Sequence, residues 1–136
     1  MEKQARIEDL HTNDRALIDA YSGKNVVVHV YIASDASGEL TNEVIFDPAG
    51  RRLAIEKVWS SLAGFDVLVA FDSIPDAPVW VCTDGGSNHS CFMNIGGLKD
   101  PGGLDATGKL IFTTTGLTVA GDKGVVILKM RKGGEL

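Results

Sequence analysis

The chain has 136 residues, of which 44% are apolar and 23% charged, and its formal net charge is -5. This length predicts one domain, and the composition is that of a globular protein rather than a wholly disordered one. The acidic balance argues against general nucleic-acid binding, which needs clustered Lys and Arg, and no apolar run approaches the ~20 residues of a membrane span.

Residues 1–24 form the first predicted unit, an N-terminal helical arm. Thr12-Asn13-Asp14 supplies capping residue types and Ser22-Gly23 a stop, so we expect a helix over about residues 14–21. The segment before Thr12 is either a first helical piece or an extended arm. The arm either packs on its own domain or binds a partner. Several of its apolar residues recur at the helical spacings of three (7/10 and 18/21) and four (17/21), among Ile7, Leu10, Leu17, Ile18 and Tyr21.

The rest of the chain, residues 25–136, predicts a β-sandwich domain. Residues 25–32 alternate with a period of two and are rich in β-branched side chains. Similar runs follow at spacings of about ten residues, separated by Gly, Pro and Asn turn signals, with little helix between them. The lack of crossover helices disfavours a parallel sheet. We therefore predict an antiparallel β-sandwich or jelly-roll-like fold of about eight strands, with a short N-terminal helix or arm.

Residues 79–95 predict a β-hairpin. Two strand-like runs flank Asp84-Gly85-Gly86-Ser87-Asn88, in which Gly86-Ser87 suits a two-residue turn. Such a turn would place Cys82 opposite Cys91 with both side chains on one face, which permits a cross-strand disulfide. Because a cytosolic protein keeps its thiols reduced, the favoured interpretation is two reduced cysteines in the core.

Metal-binding motifs are absent from the sequence. Cys82, His89 and Cys91 lie within ten residues but lack the paired Cys-x-x-Cys or His-x₃₋₅-His spacing of a structural zinc site. We therefore predict no metal and no cofactor. The glycine-rich stretch 96–108 is not a phosphate-binding loop, because no Gly-Lys-Ser/Thr opens a helix there. A long surface loop that acts as a contact element is the better interpretation.

Catalytic signals are equally weak. No Gly-x-Ser-x-Gly nucleophile motif occurs in the chain. Asp66, Asp72 and Glu56 are candidates for an acid–base pair, but carboxylates in sheets more often mark a solvated face or a strand end. We predict that the protein is not an enzyme.

Three large aromatic residues have two interpretations. Trp59, Trp80 and Tyr31 either pack in the core, which is the commoner use, or form an aromatic platform for sugar binding. The sugar-binding interpretation is excluded if both tryptophans are buried.

Two stretches of the domain carry a family resemblance. The first runs from Leu53-Ala-Ile-Glu-Lys-Val-Trp-Ser-Ser through Gly64-Phe-Asp-Val-Leu-Val to Phe71-Asp. The second comprises Gly108-Lys-Leu-Ile-Phe-Thr-Thr-Thr-Gly, Gly121-Asp and Val125-Val-Ile-Leu-Lys-Met-Arg-Lys. Together they span residues 50–132 and resemble small β-rich virion proteins of tailed bacteriophages.

The resemblance implies a non-enzymatic virion structural protein. Its expected role is capsid decoration or cement, binding the major capsid protein or other virion proteins as a homo-oligomer. Its expected location is the virion capsid, assembled in the bacterial host cytoplasm, without direct nucleic-acid or membrane contact. The alternatives are a carbohydrate- or host-surface-binding β-sandwich module, a head–tail or tail component and, ranked last, a hydrolase. The expected partner-binding residues are Ile7, Leu10, Leu17, Lys99, Asp100 and Gly102.

Overall fold

The computed structural model describes residues 2–9, 25–34, 39–117 and 121–135. Within these ranges the chain forms ten β-strands and one turn of 3-10 helix, Met93–Ile95. The strands are β1 (Glu2–Asp9), β2 (Asn25–Ala33), β3 (Glu43–Phe46), β4 (Arg51–Ala63), β5 (Asp66–Phe71), β6 (Ala77–Cys82), β7 (Gly85–Cys91), β8 (Leu98–Lys99), β9 (Leu110–Thr115) and β10 (Lys123–Glu135). None of the helical structure in these ranges is long and apolar enough to cross a membrane.

The strands form two antiparallel sheets. The six-stranded sheet has the order β1-β2-β10-β4-β7, with β8 paired to β4, and the four-stranded sheet has the order β3-β9-β5-β6. Without β1 and the two-residue β8, the remaining eight strands follow the order of a jelly roll, in which β2-β10-β4-β7 faces β3-β9-β5-β6. The predicted antiparallel β-sandwich of jelly-roll type is confirmed.

The hydrophobic core lies between the two sheets. In β2 every second residue, from Val26 to Ile32, is buried, and the residues between them are half-buried. A β-strand points alternate side chains to opposite faces, so this strict alternation turns one apolar face of β2 inward. Each large side chain buried in this way stabilises the fold by about 1.5–3 kcal/mol. The largest fully buried residues of the other strands include Leu53, Ile55, Phe71, Leu110, Phe112, Leu128 and Met130.

Strands β4 and β10 approach each other closely at Gly124. A Cβ atom at this position would lie 2.6 Å from Leu62 Cδ2 and 2.7 Å from the Ser61 carbonyl oxygen. The Ser61 carbonyl oxygen is a backbone atom, so it can move aside only if strand β4 moves with it. Glycine therefore permits the long pairing of these two central strands, which runs from Lys123 opposite Ala63 towards the chain end.

The predicted hairpin over residues 79–95 is wrong. β6 pairs with β5 in one sheet, whereas β7 pairs with β4 in the other, so the short connection between them crosses the sandwich. Gly86-Ser87 lies inside β7 rather than at a turn. Because β7 is an exposed edge strand, it tolerates residue types that elsewhere mark turns. Cys82 consequently lies opposite Val67, and Cys91 lies opposite Lys57.

The N-terminal arm is described in part. Residues 2–9 form β1, which pairs along its whole length with β2 of the same chain. Of the two alternatives for the segment before Thr12, a helical piece or an extended arm, residues 2–9 adopt the extended one. Strand β1 also supplies hydrogen-bond partners to the edge of β2, which would otherwise be open. The helix predicted over residues 14–21 lies outside the described residues.

Candidate functional site

Two rows of side chains cross the outer face of the six-stranded sheet, which points away from the core. The central row consists of His29 on β2, Ile127 on β10, Trp59 on β4 and His89 on β7. The second row, two residues further along each strand, consists of Tyr31, Val125, Ser61 and Ser87. Since neighbouring strands lie ~4.8 Å apart, each row is roughly 14 Å long.

A continuous open groove, here called the sheet groove, follows these rows. One depression of about 280 Å³ is lined by residues that include Trp59, His89 and Ile127. A second depression of about 350 Å³ is lined by residues that include Tyr31 and Lys123. The two are contiguous because both have Ser61 and Val125 in their walls.

The indole ring of Trp59 is held in place by its neighbours. The Trp59 and His89 rings are parallel, with a centroid separation of 4.9 Å and an interplanar angle of 7°. Lys57 Nζ lies 5.9 Å from the centroid of the Trp59 ring, within the range of a cation–π contact. Aromatic stacking of this kind contributes about 0.5–1.5 kcal/mol beyond area burial. Trp59 is half-buried, so part of its surface remains available to a ligand.

Hydrogen-bonding side chains border the apolar part of the groove. Ser61 and Ser87 are exposed, and neither they nor Tyr31 makes a side-chain hydrogen bond with the rest of the described chain. The Asn88 side-chain amide donates a hydrogen bond of 3.1 Å to the Gly86 carbonyl oxygen, which orients the amide. The groove therefore combines an aromatic wall with three hydroxyl groups that have no partner among the described residues and one oriented amide.

The three candidate acid–base carboxylates have structural roles instead. Glu56 is the extra residue of a β-bulge in β4, and its buried carboxylate lies 2.7 Å from Lys129 Nζ and 3.2 Å from an Arg131 guanidinium nitrogen. Asp66 Oδ1 accepts a hydrogen bond of 2.6 Å from the Asp84 backbone. Asp72 Oδ2 accepts one of 2.7 Å from the Thr107 hydroxyl. Asp66 and Asp72 also lie at opposite ends of β5, so they form no acid–base pair.

The two cysteines are free and have different environments. Burial raises the pKa of the Cys82 thiol to about 11, and a hydrogen bond with the Ser60 side chain lowers it in part. Cys91 is exposed, so the prediction that both cysteines lie in the core is wrong for Cys91. Cys82 belongs to the opposite sheet from His89 and Cys91. Across the described ranges, no group of three or more His, Cys, Asp or Glu side chains is placed to hold a metal ion.

The predicted partner-binding residues do not converge on the sheet groove. Ile7 pairs with Val28 in the β1–β2 ladder, while Leu10 and Leu17 lie outside the described residues. Lys99 is exposed in β8. Asp100 is only 1% exposed, and its Oδ1 accepts a 2.8 Å hydrogen bond from the Gly102 amide, so its carboxylate shapes the loop from within.

Sequence patterns identified two aromatic residues of the groove, Trp59 and Tyr31. They did not identify the other main groove residues, which include His89 and Ile127. Trp80 contacts Phe92 edge-to-face, with centroids 4.8 Å apart, and packs against the core. Trp59 and Tyr31 remain on the outer face. The alternation in β2 and β10 already places His29, Val125 and Ile127 on one face of their strands. Their assembly with His89 depends on strand order, which alternation does not reveal.

Comparisons with known proteins found only weak likenesses. No known protein family matches the sequence, and no curated protein does. A mutant of a family 29 carbohydrate-binding module complexed with mannohexaose is 11% identical, covering 81% of this chain and 71% of that chain, with a TM-score of 0.38. Peruvianin-I, a cysteine peptidase from Thevetia peruviana latex, is 8% identical, covering 98% of this chain and 68% of that chain, with a TM-score of 0.41. A cupin-family protein from Methanocaldococcus jannaschii is 6% identical, covering 98% and 84%, with a TM-score of 0.31. These likenesses assign no ligand or activity to this chain.

Proposed function

We propose that the protein is a non-catalytic carbohydrate-binding module that holds a glycan in the sheet groove. The observation that carries this proposal is the Trp59 indole, which is oriented by His89 and borders an open apolar groove. A sugar ring has an apolar C–H face and a rim of hydroxyl groups. It therefore suits a site that combines a flat aromatic surface with a few hydrogen-bonding groups.

The polar groups beside Trp59 match the second requirement. The hydroxyls of Ser61, Ser87 and Tyr31 both donate and accept hydrogen bonds, as sugar hydroxyls do. They are spread along both depressions rather than gathered at one point. A groove that is open and continuous across several strands favours an extended glycan chain over a small molecule enclosed in a pocket.

Glycan binding is tested by a glycan microarray followed by isothermal titration calorimetry. Trp59→Ala is expected to lower the affinity at least tenfold, because it removes the aromatic wall. Val81→Ala is the matched control, since Val81 is 49% exposed and belongs to the four-stranded sheet. Equal affinities of Trp59→Ala and wild type, or no glycan binding by the wild type, would overturn the proposal.

Intrinsic fluorescence gives an independent readout. The chain has two tryptophans, and Trp80→Phe leaves Trp59 as the sole indole emitter. Glycan is expected to shift the emission of this variant to shorter wavelength, because the ligand displaces water from the indole. A saturating amount of glycan that leaves the emission unchanged would place the ligand elsewhere.

The capsid-decoration role, the homo-oligomer and the virion location stay predictions, as does the absence of enzymatic activity. The first three rest on the resemblance of roughly residues 50–132, and the last rests on the weak catalytic signals of the sequence. Their direct test is co-sedimentation with pre-assembled phage shells, which a decoration protein should bind and stabilise against heat.

A further inference from the structure

The outer face of the six-stranded sheet concentrates positive charge on an acidic protein. Across β2, β10, β4 and β7, the residues on this face include four cations, Lys57, Lys123, Lys129 and Arg131. Among the described residues of these four strands, the buried carboxylate of Glu56 lies between two of the cations. The four strands therefore carry more cations than anions on this face, although the whole chain has a net charge of -5. The register of β1 places Glu2, Arg6 and Glu8 beside the same face.

Two of the four cations have no carboxylate partner among the described residues. Glu56 is within ion-pair distance of both Lys129 and Arg131. Lys57 contacts the face of Trp59, and no ion pair joins Lys57 or Lys123 to any residue of the described chain. Within the described chain, neither ammonium group is therefore neutralised by a carboxylate, and each can pair with an external anion.

Lys57 and Lys123 lie on opposite sides of the two rows that form the groove. Lys123 lines the second depression, two residues before Val125 on β10. Lys57 is level with Lys129, six residues further along β10 than Lys123. At ~3.4 Å per residue the two positions are roughly 20 Å apart along the strand direction. Trp59 and Tyr31 lie between them, so a ligand that crosses both rows along the strand direction reaches both lysines.

We propose that the sheet groove selects anionic glycans, whose carboxylate or sulfate groups pair with Lys57 and Lys123 while a sugar ring lies against Trp59. This inference rests on the proposed carbohydrate-binding function and adds the charge of the ligand. The lysine ammonium is a compact point charge with three hydrogen-bond donors, so it can pair with either a carboxylate or a sulfate group. Solvent-exposed pairs are individually weak and screened by salt, so binding is salt-sensitive.

The test compares three glycans of equal length by calorimetry at low and high NaCl: an oligouronate, a sulfated oligosaccharide and a neutral oligosaccharide. The wild type is expected to bind at least one anionic glycan more tightly at low salt and to lose this preference at high salt. The more tightly bound of the two identifies carboxylate or sulfate as the preferred group.

The lysines are tested with the double variant Lys57→Gln/Lys123→Gln. Its affinity for the anionic glycan is expected to fall about fivefold to tenfold, the scale of two exposed ion pairs, with neutral-glycan affinity unchanged. Lys109→Gln is the matched control, because Lys109 directly precedes β9 of the four-stranded sheet and is not on this face. Lys57→Arg should retain the preference.

Three results would overturn the inference. Equal binding of neutral and anionic glycans would refute it and leave the carbohydrate-binding proposal standing. An anionic preference that survives in Lys57→Gln/Lys123→Gln would assign the selectivity to other residues. Failure of all glycans to bind the folded wild type would overturn the carbohydrate-binding proposal as well.

Discussion

The imidazole of His89 stacks face to face on the indole of Trp59, with ring centroids 4.9 Å apart. The two residues are directly opposite each other in the β4–β7 pairing. Cross-strand neighbours on one face of a sheet are close enough for their side chains to interact. His89, on the exposed edge strand, thus acts as a positioning residue for the indole that forms the wall of the sheet groove.

Removal of the His89 ring is expected to weaken glycan binding less than removal of Trp59. The stack is worth about 0.5–1.5 kcal/mol, so His89→Ala should lower affinity by about twofold to tenfold. His89→Phe preserves a stacking ring and should restore most of the affinity. Calorimetry measures both variants, and near-ultraviolet circular dichroism reports the order of the indole. A His89→Ala variant with unchanged affinity and an unchanged indole spectrum would remove the positioning role.

Stability should decline at alkaline pH because of Cys82. Burial raises the pKa of this thiol from 9.0 to about 11. Below pH 9 the thiol is neutral in both states, and between pH 9 and 11 the unfolded chain loses this proton first. The free energy of unfolding therefore falls by up to about 1.4 kcal/mol per pH unit in that window. Urea unfolding at pH 8 to 11 measures this slope.

The same slope in two alanine variants isolates the contribution of Cys82. Cys82→Ala should be less stable at pH 8 but lose less stability towards pH 11 than the wild type. Cys91 is exposed, so Cys91→Ala should follow the wild-type slope. Parallel slopes in all three proteins would show that Cys82 is not the group responsible.

The buried Glu56 carboxylate should be important for stability. It pairs with Lys129 and Arg131 at the β-bulge, and Glu56→Gln leaves both cations without their anion. Because both cations retain some solvent contact, we expect a loss of about 1–3 kcal/mol in the free energy of unfolding, below the cost of breaking a fully buried pair. Asp105→Asn removes an exposed carboxylate and should change stability by less than about 0.5 kcal/mol. Equal stabilities of the two variants in urea unfolding would contradict this role.

Gly124 should not tolerate a methyl group. The added Cβ of Gly124→Ala meets the Ser61 carbonyl oxygen and Leu62, so β4 and β10 have to separate. We expect a loss of about 1–3 kcal/mol, typical of overpacking. Gly86→Ala is the matched control, because its Cβ has nothing within 4 Å. Thermal unfolding compares the two, and a Gly124→Ala protein as stable as Gly86→Ala would show that the strands yield without cost.

Local sequence patterns are sufficient to predict the strands that have one buried and one solvent-facing side. The alternation in β2 predicted its burial pattern because a strand packed on one side needs apolar residues at every second position. The same logic failed for β7, which is exposed along nearly its whole length and carries no burial pattern. Sequence patterns therefore predict a turn at its glycines and a pairing of Cys82 with Cys91, neither of which the fold contains.

The sequence by itself determined the β class, most strand positions and the face to which Tyr31, Val125 and Ile127 belong. Only the tertiary structure decided which strands are neighbours, and with that the row from His29 through Ile127 and Trp59 to His89. The physical reason is that alternation depends on each strand's own contact with the core. Strand order depends on pairing between segments far apart in sequence, as for β2 with β10. The sheet groove and its flanking lysines exist only through that long-range pairing.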